Sequence, residues 1–233
     1  MGILVPILIT ISEVEILLDF TILIDYFDMY WYGFKITITA SVIALISSFF
    51  IGAIIAVMRI TPIAPLRWIG TAYVEFFRNI PLVIIAFFFY FGTPVIGIRF
   101  TGLTAGAIAL SIYTSAFIAE AIRSGILSVP KGQMEAARSS GLSYIQTMRM
   151  IILPQAIKIV IPPIGNQFIN LVKNSSILAL IAGGDLMYQA DLISSKIFDV
   201  FSVYIFVAMF YLVLTIPLSF GVGYLEKRLA RSQ

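Results

Sequence analysis

Glu135-Ala-Ala-Arg-Ser-Ser-Gly141, followed after nine residues by Ile151-Ile-Leu-Pro154, is the stretch on which the fold turns. It lies in the longest polar interruption of an otherwise apolar chain, from about residue 123 to residue 149. Val129-Pro-Lys-Gly132 reads as a turn, because proline fixes φ and glycine tolerates the change of chain direction. Gln133 to Ser140 has good helix-forming composition, and Gly141 stands where a helix C-cap glycine belongs. Ser143 is positioned to N-cap a second short helix over 144–152, before Pro154 disturbs the run. The expectation is two short helices around a glycine elbow, held outside the bilayer. That shape suits docking rather than spanning.

The rest of the chain supports that division. Of 233 residues, 60% are hydrophobic and 12% charged, with a mean hydropathy of +1.03, which excludes an ordinary soluble domain. The apolar length suffices for about five membrane helices and leaves little for a separate domain, so the fold class expected is an all-α membrane protein. There is no cysteine and no histidine, which removes disulfides, thiol nucleophiles, imidazole bases and most zinc sites. A membrane hydrolase built on those groups is excluded, whereas a carboxylate or Ser/Lys chemistry is not; no catalytic or metal-ligating residue is singled out. No soluble ATPase module and no Gly-Lys-Ser/Thr phosphate loop is found in the sequence. Nucleic acid is not among the expected partners.

In order along the chain, residues 1–34 read as an acidic interfacial segment without a lysine or arginine, carrying Trp31 and Tyr32, with Tyr26 and Tyr30 nearby, as an aromatic belt. A transmembrane region over 35–226 follows, with spans expected at about 36–58, 80–95, 103–121, 157–182 and 201–225. Residues 68–79 read as an interfacial helix leading into the second span. The fourth is expected to be interrupted at Pro162-Pro163. The polar loop occupies 123–154, and a basic tail 227–233 closes the chain. Five spans put the loop after the first span, the 123–154 loop and the tail on one side. That side holds Arg59, Arg67, Arg123, Lys131, Arg138, Arg149, Lys227, Arg228 and Arg231, against Lys35, Arg99 and Lys196 on the other. The positive-inside rule then puts the N-terminus outside and the C-terminus inside.

Two stretches place costly groups near membrane depth. On a helix, Asn166, Gln167, Asn170, Lys173 and Asn174 share a single arc of roughly 120°, with Ser175 and Ser176 just beyond. Amides and an ammonium do not face lipid, so this stripe looks into a cavity or at another protein surface. It suits either a helix interface held by amides or direct contact with a translocated solute. The second stretch is Glu75-Phe-Phe-Arg78-Asn79-Ile-Pro81, where Glu75 and Arg78 are spaced as a local ion pair and Asn79 can serve a carbonyl freed by Pro81. Glu120 and Arg123 are spaced as a structural salt bridge.

The spacing Glu-Ala-Ala, three residues, Gly, nine residues, Ile-x-Leu-Pro resembles the signature loop of permease subunits of binding-protein-dependent ABC importers. Further segments resemble the subgroup importing polar and basic amino acids (histidine, glutamate, glutamine, arginine and opine types). They are Glu75 to Pro81, Ser115-Ala-Phe-Ile-Ala-Glu120, Val129 to Gln133, Leu153-Pro-Gln-Ala156, Pro163 to Asn170 with Lys173, and Leu186-Met-Tyr-Gln-Ala190. Gly184-Asp185 departs from that pattern, where a bulkier residue and Glu are usual. The resemblance implies a type I importer permease of five spans in the bacterial cytoplasmic membrane, with a cytoplasmic coupling-helix loop. That loop, through Glu135, Ala136, Ala137, Arg138, Gly141, Leu153 and Pro154, would seat in an ATPase dimer carrying the ATP and Mg. A second permease, identical or homologous, and an extracytoplasmic binding protein are the other implied partners. The chain itself would not be an enzyme.

An amino acid presents a carboxylate and an ammonium, so a weak site along its path needs both donors and acceptors. Lys173, the amides of Asn166, Gln167, Asn170 and Asn174, and the hydroxyls of Ser175 and Ser176 supply them, with Glu75, Arg78 and Asn79 as a second group. An ion-coupled secondary amino acid transporter is the alternative, although the stripe has no carboxylate and the chain no histidine relay.

Overall fold

The computed structural model describes residues 18–230, and every regular element among them is helical. Asp19 caps the short α1 (Phe20–Asp25), accepting from the Thr21 backbone N–H at 2.8 Å and from its hydroxyl at 2.7 Å. Then come α2 (Phe27–Ile60), α3 (Ala64–Asn79) and α4 (Leu82–Phe87), which runs on through a π-turn and a 3₁₀ turn to Ile96. After α5 (Gly102–Leu127), the polar loop holds α6 (Lys131–Ser139) and α7 (Tyr144–Thr147). A π-turn joins α7 to α8 (Leu153–Asn174), which tightens into a 3₁₀ segment, Ser175–Ile181. The shorter α9 (Leu186–Ile197) and the long α10 (Phe201–Ala230) complete the described chain.

Among the described residues, four helical stretches are long and apolar enough to cross a membrane: Phe27–Ile60, Gly102–Leu127, Tyr144–Ile181 and Phe201–Leu229. The pair Ala64–Asn79 and Leu82–Ile96, bent by 103° at Pro81, supplies a fifth crossing if counted as one.

Three expectations need correction. The first span does not begin at residue 36: from Phe27 the chain is already helical, because Tyr30 and Phe34, one turn apart, pack against Phe206 and Phe210 of α10. Trp31 and Tyr32 remain exposed, whereas Tyr30 is fully buried and leaves the expected aromatic belt. The reading of residues 1–17 lies outside the described residues. Second, residues 68–79 are more than an interfacial helix leading into the second span: Trp68 and Ile69 stay exposed, while the other face of α3 packs inward. Tyr73 reaches the Ser115 hydroxyl at 2.8 Å, and Val74 packs against Ile55, Ala56 and Ala119, so α3 belongs to the bundle. Third, Pro162 and Pro163 do not interrupt the fourth span. They sit inside an unbroken α8, and the change of winding comes later, at Ser175.

The core is layered along α5. Near its N-terminal end, Ala105 and Ala109 take Ile85, Ala86 and Ile181; at its centre Leu110 meets Ala40, Ala44, Leu171 and Leu178. Towards its C-terminal end Ile118 meets Val160 and Ile164. Small residues permit this closeness. A Cβ on Gly52 of α2 would stand 2.8 Å from the Ile118 side chain and 2.9 Å from the Ser115 carbonyl of α5.

Candidate functional site

The polar loop is built by local rules. Gly141 adopts φ +86°, its N–H donates to the Arg138 carbonyl at 3.0 Å, and the Leu142 N–H donates to the Ala137 carbonyl at 3.2 Å. That pair of bonds is a Schellman closure of α6, with glycine in the left-handed position where a side chain is disfavoured. Arg138 adds a bond from its guanidinium to the Leu142 carbonyl at 2.8 Å. Two residues on, Ser143 and Gln146 form a reciprocal capping box: the Gln146 N–H donates to the Ser143 hydroxyl at 3.3 Å, and the Ser143 N–H to the Gln146 side chain at 2.8 Å. The second helix is not short, as the sequence suggested. Pro154 falls in the first turn of α8, where its missing N–H is tolerated beside the π-turn at Met148–Ile152, and the helix continues into the fourth span.

This loop is clamped to the bundle on one side and open on the other. Val129, Ile152 and Ala156 are buried together, with Met134 and Met148 packed over them, joining α6 to the C-terminal end of α5 and the N-terminal end of α8. Ala137 faces inward, whereas Glu135, Ala136, Arg138, Gly141, Leu153 and Pro154 are exposed. Beside them Tyr144, Ile145 and Met150 are 48%, 76% and 63% exposed. Large apolar side chains exposed on a polar loop mark a surface for contact with a protein or a membrane.

Behind the loop lies a charge node that joins elements far apart in sequence. Glu120 accepts from the Arg59 guanidinium and, at 3.1 and 2.6 Å, from the Nε and Nη2 of Arg123. The bond to Arg123 follows the expected i, i+3 spacing. The bond to Arg59 ties α2 to α5 across 61 positions, with the Arg59 side chain only 8% exposed.

The polar stripe of α8 divides by depth. Asn166, Asn170 and Lys173 are exposed; Gln167, Asn174 and Ser176 are half-buried. Ser175 is fully buried and donates to the Val172 carbonyl at 2.7 Å, a structural bond rather than a lining position. Glu75, Arg78 and Asn79 are exposed on α3, although no ion pair joins Glu75 to Arg78. Arg78 instead lies over the Phe117 ring of α5 at 5.4 Å, and Asn79 donates to the Glu75 carbonyl at 2.6 Å. Since Ile164 packs on Ile118 and Leu171 on Leu110, the α8 stripe and Arg78 are level with one another along α5. They do not meet within the subunit.

Where α8 gives way to the 3₁₀ segment, a cavity of about 350 Å³ brings Asn174 and Ser176 together with Leu82, Met187 and Asp191. Asp191 also accepts from the Tyr204 hydroxyl. Its position beside the stripe was not readable from sequence, because it depends on how α9 folds back. Asp185 was missed for the same reason. It is fully buried, caps α9 by accepting from the N–H groups of Met187 and Tyr188 at 3.2 and 3.3 Å, and lies beside Thr37, whose hydroxyl accepts from the Leu186 N–H. Burial pushes its carboxyl up to about 7. Among the described residues no group of acidic side chains is arranged to hold a metal.

Residues 48–231 match the family described as binding-protein-dependent transport system inner membrane component. The chain is 69% identical, over 92% of its length and 100% of the relative, to the probable glutamine ABC transporter permease protein GlnM of Bacillus subtilis (strain 168). It is 39% identical, over 88% of its length and 95% of the relative, to the probable glutamine ABC transporter permease protein GlnP of the same organism. Among solved structures, that of an amino acid ABC transporter with histidines matches with a TM-score of 0.86 and 36% identity, covering 91% of this chain and 99% of the other. An inward-facing MetNI methionine ABC transporter matches with a TM-score of 0.68 at 22% identity, covering 91% and 99%, a likeness of fold.

Proposed function

The chain belongs to the binding-protein-dependent transport system inner membrane components, and from that premise we propose how it works and what it carries. It has the type I importer permease fold and is the permease subunit of an ABC transporter, not its ATPase. The family sets aside the ion-coupled carrier. The substrate is a polar amino acid, with glutamine first among the candidates because the 69% identical relative bears that name over its whole length.

The observation that carries the mechanism is the exposed surface of α6 and α7, clamped by a buried apolar seam to the inner ends of α5 and α8. A cytoplasmic ATPase dimer, holding the ATP and Mg, grips that surface. When the dimer closes, the loop moves as one body with two spans, and the path opens outward. Glu135, Ala136, Arg138 and Gly141 form the gripped side, with Leu153 and Pro154 at its junction to α8. Ala137 faces the seam.

A second permease, identical or homologous, covers the exposed polar faces of α8 and α3. Asn166, Asn170 and Lys173 of one face and Glu75, Arg78 and Asn79 of the other then line a water-filled path, where Lys173 and Arg78 can meet the substrate carboxylate. An extracytoplasmic binding protein delivers the substrate at the outer face, near the cavity of Asn174, Ser176 and Asp191. The protein sits in the bacterial cytoplasmic membrane with its N-terminus outside and its C-terminus inside.

The deciding experiment reconstitutes the chain with its ATPase and binding protein in proteoliposomes and supplies a panel of amino acids, with and without an ion gradient. Glutamine-stimulated ATP hydrolysis and uptake, indifferent to the gradient, is the expected result. Stimulation confined to a basic or apolar amino acid would overturn the substrate assignment.

A further inference from the structure

We infer that a cleft between the α2–α3 turn and the inner side of α6 binds the phosphate headgroup of an anionic phospholipid in the cytoplasmic leaflet. This rests on the membrane orientation proposed for the importer. The cleft encloses about 460 Å³ and is lined by Arg59, Arg67, Arg123 and Lys131, a volume within the range of small-ligand sites. Those four cations outnumber the nearby carboxylates: Glu135 on the rim, Glu120 behind Arg59 and Arg123, and Glu75 within electrostatic range of Arg123.

Arg59 gives the cleft a built donor. Its side chain is 8% exposed and its Nε is buried without a partner, although Glu120 already takes another nitrogen of the same guanidinium. An anion in the cleft adds charge-assisted hydrogen bonds to the side of this guanidinium that lines it, rather than to the enclosed Nε. The nine-residue α6 also begins here, after Pro130, with no side-chain cap on its N-terminus, which leaves helix N–H groups and the positive end of the dipole to an anion.

The occupant is a lipid rather than a free anion, because the walls are amphiphilic and stand at headgroup depth. The floor is aliphatic, from Ile126, Val129 and Ile152. Next to Arg67, Trp68 and Ile69 are 69% and 59% exposed, and Leu127 at the rim is 62% exposed. Such side chains beside a basic cluster fit the interface of a bilayer. A headgroup held there bridges the α2–α3 turn to α6, so the stiffness of the coupling loop depends on lipid composition.

The test is native mass spectrometry of the assembled transporter in detergent, titrated with phosphatidylglycerol or phosphatidylcholine, with glycerol 3-phosphate as soluble competitor. Phosphatidylglycerol should be retained and phosphatidylcholine lost. Arg67→Gln with Lys131→Gln, chosen because neither side chain bonds Glu120, should weaken phosphatidylglycerol by about tenfold or more. Arg67→Lys, which keeps the charge, should restore most of it, and Lys227→Gln in the tail should change nothing. Equal retention of the two lipids, or wild-type affinity in the double variant, would overturn the site. Displacement by equimolar glycerol 3-phosphate would overturn the lipid as its occupant. Binding is read here without transport, so failure of this inference and failure of the importer reading give separate signals.

Discussion

Asp185 is a carboxyl group in a place that disfavours its charge. It is fully buried, its two backbone bonds are long, and Asp191 adds a like charge nearby. Burial is the larger cause, and the carboxyl titrates near 7. Because the folded value lies above the unfolded one, the group favours the folded connection at low pH, and that contribution is lost as pH rises through about 7. Hydrogen exchange of α9 should therefore be slower at about pH 5.5 than at about pH 8, two conditions that bracket that titration, after correction for intrinsic exchange. Asp185→Asn keeps a capping side chain and should abolish the difference. An unchanged pH dependence in the variant would assign it to another group. Glu120 poses the opposite case, a charge well supplied with partners. Removing it as Glu120→Gln strands Arg59 in an 8% exposed position. A fully buried pair broken this way costs about 3–5 kcal/mol; Glu120 is 23% exposed, so a loss nearer 2 kcal/mol is expected. Thermal unfolding in detergent should show that loss, and pairing the change with Arg59→Met should recover part of it. A double variant no better than the single would mean the node is not the source.

At the scale of elements, what the sequence disclosed tracks the range of the forces involved. The loop from residue 131 to residue 154 was legible because its determinants are local: a turn at Val129-Pro130, a left-handed glycine and a capping box act within a few residues. The length of α2 was not, because Tyr30 and Phe34 are fixed by α10, more than 170 positions away. Nor was the tie from Arg59 to Glu120, for only its i, i+3 half shows in the sequence. Pro162-Pro163 misled for a related reason: packing of Val160 and Ile164 on α5 holds α8 together where propensity alone would break it. The elbow itself can be tested more finely than by blocking it. A Cβ at Gly141 would meet nothing within 4 Å, so the constraint is its φ of +86° rather than space. Gly141→Ala and Gly141→Val should each cost about 1–2 kcal/mol locally, the β-branched residue more, and Gly141→Asn less because it tolerates the left-handed region. If the loop couples transport to ATP, substrate-stimulated hydrolysis should fall in the order Asn, Ala, Val while the permease still inserts. Equal hydrolysis across the three would show that the elbow's geometry does not limit coupling.

For the whole molecule, the question is which surfaces meet lipid and which meet water. Phe220 on α10 is 76% exposed and apolar, as a lipid face should be, whereas Asn166, Asn170 and Lys173 are exposed polar groups at comparable distance from the ends of their span. Lipid against amides and an ammonium would be unfavourable by several kcal/mol in sum, and the proposed second subunit would close that face of α8 and the Arg78 face of α3 around water. The chain has no cysteine, so one introduced thiol is unambiguous. In membranes carrying the assembled transporter, Asn170→Cys should react with a charged, membrane-impermeant thiol reagent, faster when the binding protein and substrate drive the cycle. Phe220→Cys should react only with an apolar reagent. Were Asn170→Cys to behave like Phe220→Cys, the polar stripe would be a sealed helix interface, and the translocation path would have to run along the Glu75–Asn79 face without it.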